Sequence, residues 1–221
     1  TLHPTKLISK DHYKVAGDFS SASFLIVAGL IAKNSEILIK NVGLNQTRSG
    51  LLSVLKKMGA NIQILNQKTE CNEDVGDLLV KSSALHGIEI GGAIIPNIID
   101  EIPILSIAAS CAEGKTTIKD AKELRVKESD RLEAIASGLK VLNVPHYLYE
   151  DGIEISGVKE IVPSDQPIDS FDDHRIAMSF LISSLASSKD IKVMNCENIY
   201  TSFPSFFDEM KKIGLNMERH G

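Results

Sequence analysis

The 221-residue chain is 43% hydrophobic and 24% charged, with 15 glycines and 7 prolines, a composition that excludes a disordered tail, a collagen-like fibre and a minimal peptide scaffold. Its length supports a buried core, in one domain or two small ones, without a metal or disulfide staple. Twenty-four basic against 29 acidic residues leave a formal charge of −5, which argues against a general nucleic-acid surface but leaves room for a local basic pocket.

From the N-terminus, the apolar run at 23–32 reads as a helix, followed by a strand at 37–39 that runs into Asn41. A second helix at 50–58 and strands at 61–65, 77–80 and 87–90 come next. The order then recurs: helix 102–112, strand 116–118 ending at Asp120, helix 131–142, and strands 146–148 and 152–155. A third pass gives helix 176–186, strand 191–193 ending at Asn195, helix 204–213 and a weaker strand at 216–218. In each pass the second helix ends on an apolar residue just before Gly59, Asn143 or Gly214, residue types that readily adopt a left-handed C-cap.

A period of about 60–75 residues marks a degenerate threefold repeat, with units near 14–88, 89–160 and 161–221. The first helix of each unit is apolar around most of its circumference. Such helices are expected inside, wrapped by strands, whereas an ordinary doubly wound sheet carries amphipathic helices outside. The expected fold class is therefore α/β, an inside-out domain of three repeated units.

Cys71, Cys111 and Cys196 are far apart, odd in number and form no CxxC pair. Neither a disulfide framework nor a zinc cluster is favoured, and reduced thiols in a cytoplasmic setting are expected. No run reaches about 18 apolar residues, and Thr1-Leu2-His3-Pro4-Thr5-Lys6 lacks the order of a signal peptide, so membrane insertion is not expected.

The densest charge cluster is Lys122-Glu123-Leu124-Arg125-Val126-Lys127-Glu128-Ser129-Asp130-Arg131-Leu132. With Asp130 as helix cap, Glu133 sits at the third helical position and can complete a reciprocal cap. Arg131 then lies in the first turn, where its forked donors and the backbone amides suit a carboxylate or phosphate. Lys127 suits an oxygen ligand or proton transfer, and Glu128 suits general acid–base chemistry. The same pattern also describes a solvated ion-pair loop with a helix cap, and charge and spacing alone leave both open.

Phe171-Asp172-Asp173-His174-Arg175 opens the apolar helix of the third unit. Asp172 or Asp173 suits the cap, placing His174 and Arg175 at the positive helix end; an anion fits there, as does a merely packed histidine beside a surface arginine. Asp100 precedes the apolar helix of the second unit. It suits an N-cap or, if loops of units two and three meet, a carboxylate that takes a proton from a substrate hydroxyl while Lys127, Arg131 and Arg175 hold anionic groups. Gly17-Asp18-Phe19-Ser20-Ser21 opens the first apolar helix, where serines commonly cap and phosphate binding is the lesser reading. The sequence contains no GxGxxG, no GK[ST] after Gly91-Gly92, no GxSxG and no converging metal-ligand spacing.

In chain order, Ala16-Gly17-Asp18-Phe19-Ser20-Ser21-Ala22-Ser23, Arg125-Val126-Lys127-Glu128-Ser129-Asp130-Arg131-Leu132, Asp172-Asp173-His174-Arg175-Ile176-Ala177-Met178 and Thr201-Ser202-Phe203-Pro204 resemble the C-terminal half of the 5-enolpyruvylshikimate-3-phosphate synthase family. The resemblance implies the enolpyruvyl transferase fold, in which two inside-out domains of three units each enclose a substrate cleft. Residues 1–13 are then the segment crossing from the N-terminal domain, and 14–221 the C-terminal domain.

The implied reaction moves the enolpyruvyl group of phosphoenolpyruvate to the 5-hydroxyl of shikimate-3-phosphate and releases phosphate. It serves chorismate and aromatic amino-acid biosynthesis, with no metal, nucleotide or organic cofactor. By this resemblance Asp100 accepts the hydroxyl proton or orients the hydroxyl, Lys127 contacts substrate and helps transfer charge, and Glu128 protonates the methylene carbon. Arg131 and Arg175 clamp the carboxylate or phosphate, with His174 assisting by hydrogen bonding. Thr201 stands where some members carry lysine and brings no fixed charge.

The family's N-terminal half supplies further lysines and arginines to the cleft, so this chain alone is expected to be inactive, with that half as its partner. Two other readings are the same chemistry on a nucleotide sugar, which the combined RVKESDR and DDHR runs disfavour, and a fragment whose main property is assembly.

Overall fold

The computed structural model describes residues 3–4 and 12–219, so the crossing segment expected at 1–13 falls largely outside the described residues. Unit one runs α1 (Phe19–Ile31), β1 (Glu36–Gly43), α2 (Gly50–Lys57) and the hairpin β2–β3 (Asn61–Glu70 and Glu73–Lys81). Unit two runs β4 (Glu89–Ile90), α3 (Ile102–Ser110), β5 (Lys115–Ile118), α4 (Arg131–Val141) and the hairpin β6–β7 (His146–Leu148 and Ile153–Ser156). Unit three runs β8 (Ile168–Asp169), α5 (His174–Ser183), β9 (Val193–Met194), α6 (Ile199–Ser202) and α7 (Phe206–Lys212).

The first helices of the units, α1, α3 and α5, pack on one another at the centre. Every residue of α3 is buried, and only short edges of α1 and α5 reach the surface. This is the inside-out arrangement that their all-round apolarity demands. Serines let these helices approach closely without orphaned hydroxyls: Ser106 Oγ donates to Ile102 O, Ser110 Oγ to Ser106 O and Ser179 Oγ to Arg175 O, each within its own helix.

The sheets repeat one plan with decreasing completeness. In unit two β4 runs parallel to β5, and the antiparallel hairpin β7–β6 lies on the other side of β5. Unit one has the corresponding hairpin, β3–β2, beside β1, and its parallel partner shrinks to a single bridge between Gly17 and Val42. Unit three keeps only the parallel pair β8–β9 among the described residues. The strand expected at 216–218 does not form, because no neighbouring strand supplies the ladder that β3 and β7 give to β2 and β6.

Local backbone signals repeat more faithfully. Asn41, Asp120 and Asn195 all take left-handed conformations, with φ of 56°, 60° and 60°. Past α2, α4 and α7, Gly59, Asn143 and Gly214 are left-handed as well. Each sits inside the same six-residue closure, with Ala60 N on Leu55 O, Val144 N on Leu139 O and Leu215 N on Met210 O, all at 3.0 Å. Among the described residues no helix is long and apolar enough to cross a membrane.

Gly138 sets how near α4 and α5 can come to each other. A methyl group at this position of α4 would sit 2.0 Å from Cζ of Phe180 on α5, and Phe180 is fully buried. The absence of a side chain at 138 therefore lets α4 lie against α5. Gly138→Ala gains about 1 kcal/mol of helix propensity but overpacks a ring that cannot retreat, which costs about 1–3 kcal/mol or more. A net fall in the denaturation midpoint is expected; an unchanged or raised midpoint would show that the two helices separate freely.

Candidate functional site

The central helices begin at one end of the domain, and their first residues touch. Ser20 of α1 donates its hydroxyl to Glu101 Oε1, just before α3, and Arg175 Nη1 of α5 donates to the backbone oxygen of Asp100 at 3.0 Å. Asp18 caps α1 through Ser21 N at 2.7 Å. Asp173, the second member of the aspartate pair, caps α5 through Arg175 N at 2.9 Å and Ile176 N at 3.4 Å. The α3 start differs. A 3-10 turn over Ile99–Glu101 precedes Pro103 in the first helical turn, and Asp100 makes no cap hydrogen bond; its carboxylate faces a group of cations instead.

The start of α4 joins the same place. Asp130 caps it through Glu133 N at 3.1 Å, and Arg131 follows as its first residue. Arg131 is completely buried and all three of its nitrogens are engaged. Nε donates to Asp173 Oδ2 at 2.8 Å, Nη1 to Asp100 Oδ1 at 3.3 Å and Nη2 to Glu128 Oε2. Asp173 is also completely buried and takes a fourth donor in Ser129 Oγ at 3.2 Å.

Asp100 is the point of convergence. Besides Arg131, its carboxylate lies 3.6 Å from Arg48 Nη1, 3.8 Å from Arg175 Nη2 and 3.9 Å from Lys127 Nζ. Partial burial pushes its proton affinity up, but Arg175, Lys127, Arg131 and Arg48 together overcome that and hold the carboxyl below its ordinary range. The adjacent Glu101 shows the opposite balance. It is 1% exposed, so burial outweighs the Ser20 hydrogen bond and the nearby Arg175 and Arg48, and its carboxyl titrates above the ordinary range. At the head of α5, burial and then Arg175 lower the affinity of His174 for a proton, which keeps its imidazole neutral at physiological pH.

All six residues singled out from the sequence thus lie at one end of the helix core, with Asp100, Lys127, Glu128, Arg131 and Arg175 joined by ion pairs and His174 next to Arg175. Thr201 Oγ1 is turned back onto Asn198 O within its own segment. Sequence reasoning missed Arg48 and Glu101 as members of the cluster, and Asp173 as the anchor of Arg131; it singled out the Ser20 segment without joining it to Asp100 and Arg175. Arg48 carried one faint signal: a basic residue stands just before the cap of the second helix of unit one, two residues short of Gly50, much as Arg131 opens that of unit two.

Two measurements test this geometry. Asp173→Asn leaves a buried guanidinium without its one fully buried counter-charge, which is expected to cost about 3–5 kcal/mol of stability, whereas Asp100→Asn at a partly exposed carboxylate costs far less; equal losses in denaturant titrations would refute the anchoring role. Glu101 keeps its proton to higher pH in the folded than in the unfolded chain. Its contribution to stability is therefore lost as pH rises from its unfolded value near 4.5 through the raised folded value, and Glu101→Gln is expected to flatten that decline.

Comparison with known proteins gives this arrangement a family. Residues 1–210 match the profile described as EPSP synthase (3-phosphoshikimate 1-carboxyvinyltransferase). A relative named 3-phosphoshikimate 1-carboxyvinyltransferase, from Petrotoga mobilis, is 56% identical over 209 residues, covering 95% of this chain and 48% of that protein. A structure of EPSP synthase from Acinetobacter baumannii superposes with a TM-score of 0.89 at 40% identity, covering 92% of this chain and 47% of that one. The enolpyruvyl transferase NikO from Streptomyces tendae, at 16% identity and a TM-score of 0.72 over 89% of this chain and 43% of that one, shares the fold alone. The chain spans about half the length of the curated relatives it matches. With almost its whole length matched by the profile and by relatives of this identity, the chain belongs to the EPSP synthase family.

Proposed function

We infer that this chain supplies one wall of the active cleft of a 3-phosphoshikimate 1-carboxyvinyltransferase. The observation that carries the reading is the convergence of Arg48, Lys127, Arg131 and Arg175 on one ionised carboxylate, Asp100, at the joined N-termini of α1, α3 and α5. Cations and helix N-termini suit two anionic reactants, phosphoenolpyruvate and shikimate-3-phosphate, whose mutual repulsion must be offset before they meet. Residues 14–221 act as the C-terminal domain, residues 1–13 as the segment crossing from the N-terminal half, and that half closes the cleft.

In this reading the 5-hydroxyl oxygen attacks C2 of phosphoenolpyruvate, and Asp100 orients the hydroxyl and accepts its proton as the C–O bond forms. Glu128 gives a proton to the methylene carbon, which becomes a methyl group in a tetrahedral intermediate. Return of a methyl proton to the Glu128 carboxylate then restores the double bond as the phosphate C–O bond breaks, and the proton taken up by Asp100 leaves with the phosphate. Arg175 and Lys127 hold the anionic groups. Arg131 joins them where a substrate oxygen takes the place of Glu128 on Nη2, which frees Glu128 for its proton transfer. His174, neutral and next to Arg175, contributes a hydrogen bond and no charge. No step requires a metal, a nucleotide or an organic cofactor.

The three cysteines are free. Burial pushes the Cys111 thiol up to about 12 and the Cys196 thiol to about 11, so neither is a ready nucleophile at neutral pH.

Phosphate release from phosphoenolpyruvate and shikimate-3-phosphate tests the reading. The chain alone is expected to give none, and the chain supplied with an N-terminal half is expected to be active. Arg175→Ala in the active mixture is expected to lower kcat/KM for phosphoenolpyruvate about 10²–10³-fold with the fold intact. Turnover by the chain alone would overturn the requirement for a partner half, and turnover unaffected at Arg175 would overturn the clamp.

A further inference from the structure

Every cation of the loop leading into α4 already has a carboxylate of the chain on it. Lys122 pairs with Glu150 at 2.6 Å, Arg125 with Asp130 at 2.9 Å, Lys127 with Glu123 at 2.6 Å, and Arg131 with Glu128. An anion that binds here must therefore exchange with a carboxylate, and the structure distinguishes those that can leave from those that cannot. Asp130 is fixed as the cap of α4, Asp173 is sealed inside with two further tasks, and Asp100 answers to four cations. Glu123 has no such commitment. Its side chain is 63% exposed, it belongs to a short 3-10 turn over Lys122–Val126, and it covers the ammonium group of a lysine whose own side chain is only 23% exposed.

We propose that Glu123 is a displaceable counter-ion for Lys127, occupying the position an incoming phosphate or carboxylate oxygen takes and so setting the affinity of this site for anions. The inference rests on the reading of Lys127 as an anion contact. When Glu123 swings into solvent, Lys127 keeps Asp100 at 3.9 Å, so it stays oriented toward the cluster while its nearest donor position opens. An exposed pair of this kind holds its lysine only part of the time. Removing the competitor should therefore tighten anion binding about twofold to fivefold, a change of affinity and not of fold.

The test is calorimetric titration of inorganic phosphate into the two-domain protein, as wild type, Glu123→Gln, Glu123→Ala, Lys127→Ala and the double variant Glu123→Gln/Lys127→Ala. Both Glu123 variants are expected to bind phosphate about twofold to fivefold more tightly at low ionic strength. The advantage should shrink toward 1 M salt, where an exposed pair is screened, and should vanish when Lys127 is alanine. Two results overturn the proposal in distinguishable ways. If Lys127→Ala weakens phosphate binding but the Glu123 variants match wild type or bind less tightly, Glu123 is not the competitor and the reading of Lys127 stands. If Lys127→Ala leaves phosphate affinity unchanged, the reading of Lys127 fails and this inference fails with it.

Discussion

The buried pair between Arg131 and Asp173 governs how the rest of the site can be arranged. Removing two charges from water costs several kcal/mol for each ion, and such a pair persists only where every remaining donor and acceptor is also satisfied. Here that condition is met. Asp173 Oδ1 closes the first turn of α5, while Oδ2 holds Arg131 Nε and Ser129 Oγ; the other two nitrogens of Arg131 reach Asp100 and Glu128. One carboxylate thereby sets the start of α5, the start of α4 and the loop before it. The bare backbone at Gly138 farther along α4 is a steric condition of the same packing, because a side chain there would strike Phe180 of α5.

The two neighbouring carboxyls at the head of α3 show how position decides protonation. Asp100 and Glu101 are adjacent in sequence and share Arg48 and Arg175 as neighbours, yet they are driven in opposite directions. Glu101 lies behind Ser20 and is sealed, so lost hydration exceeds what the arginines return. Asp100 keeps a quarter of its side chain exposed and gains Lys127 and Arg131 as well, so attraction wins. Neighbouring carboxyls pushed apart in this way commonly divide proton holding from charge stabilisation. Only Asp100 faces the open end of the cluster.

Features governed by short stretches of sequence are legible without the structure. The all-apolar helices announce an interior position because no face of them tolerates water, and the glycines and asparagine after α2, α4 and α7 announce a left-handed closure because few other residues take it without strain. Asp130 and one of the paired aspartates are readable as caps from spacing alone. What stays hidden depends on contacts between units. The Arg48 run, Asn45-Gln46-Thr47-Arg48-Ser49, looks like an ordinary polar loop until α1 and α3 bring Ser20 and Asp100 beside it. From sequence Asp100 suits a cap as well as a proton-accepting carboxylate, because nothing local reveals the 3-10 turn that rules out the cap. Arg131 reads as an anion clamp or as part of a solvated ion-pair loop, and its burial stays hidden because α5, some forty residues later, creates it.

In the proposed reading, a count of charges explains why this wall of the cleft needs a facing surface. Four cations, Arg48, Lys127, Arg131 and Arg175, stand among five carboxylates, Asp100, Glu101, Glu123, Glu128 and Asp173. Even with Glu101 protonated the two sets only balance, so side chains alone give this wall no surplus positive charge for a doubly or triply charged ligand. The helix N-termini add roughly half a charge each, an effect confined to the first turn. Two unit charges 4 Å apart at a protein surface interact by about 4 kcal/mol, so bringing two polyanions together requires several cations beyond those already neutralised. Exchange of carboxylates for substrate oxygens can free donors but cannot create net charge. In the proposed reading the missing positive charge comes from the facing surface, so that closure of the two halves is an electrostatic requirement of the chemistry as well as a means of excluding water.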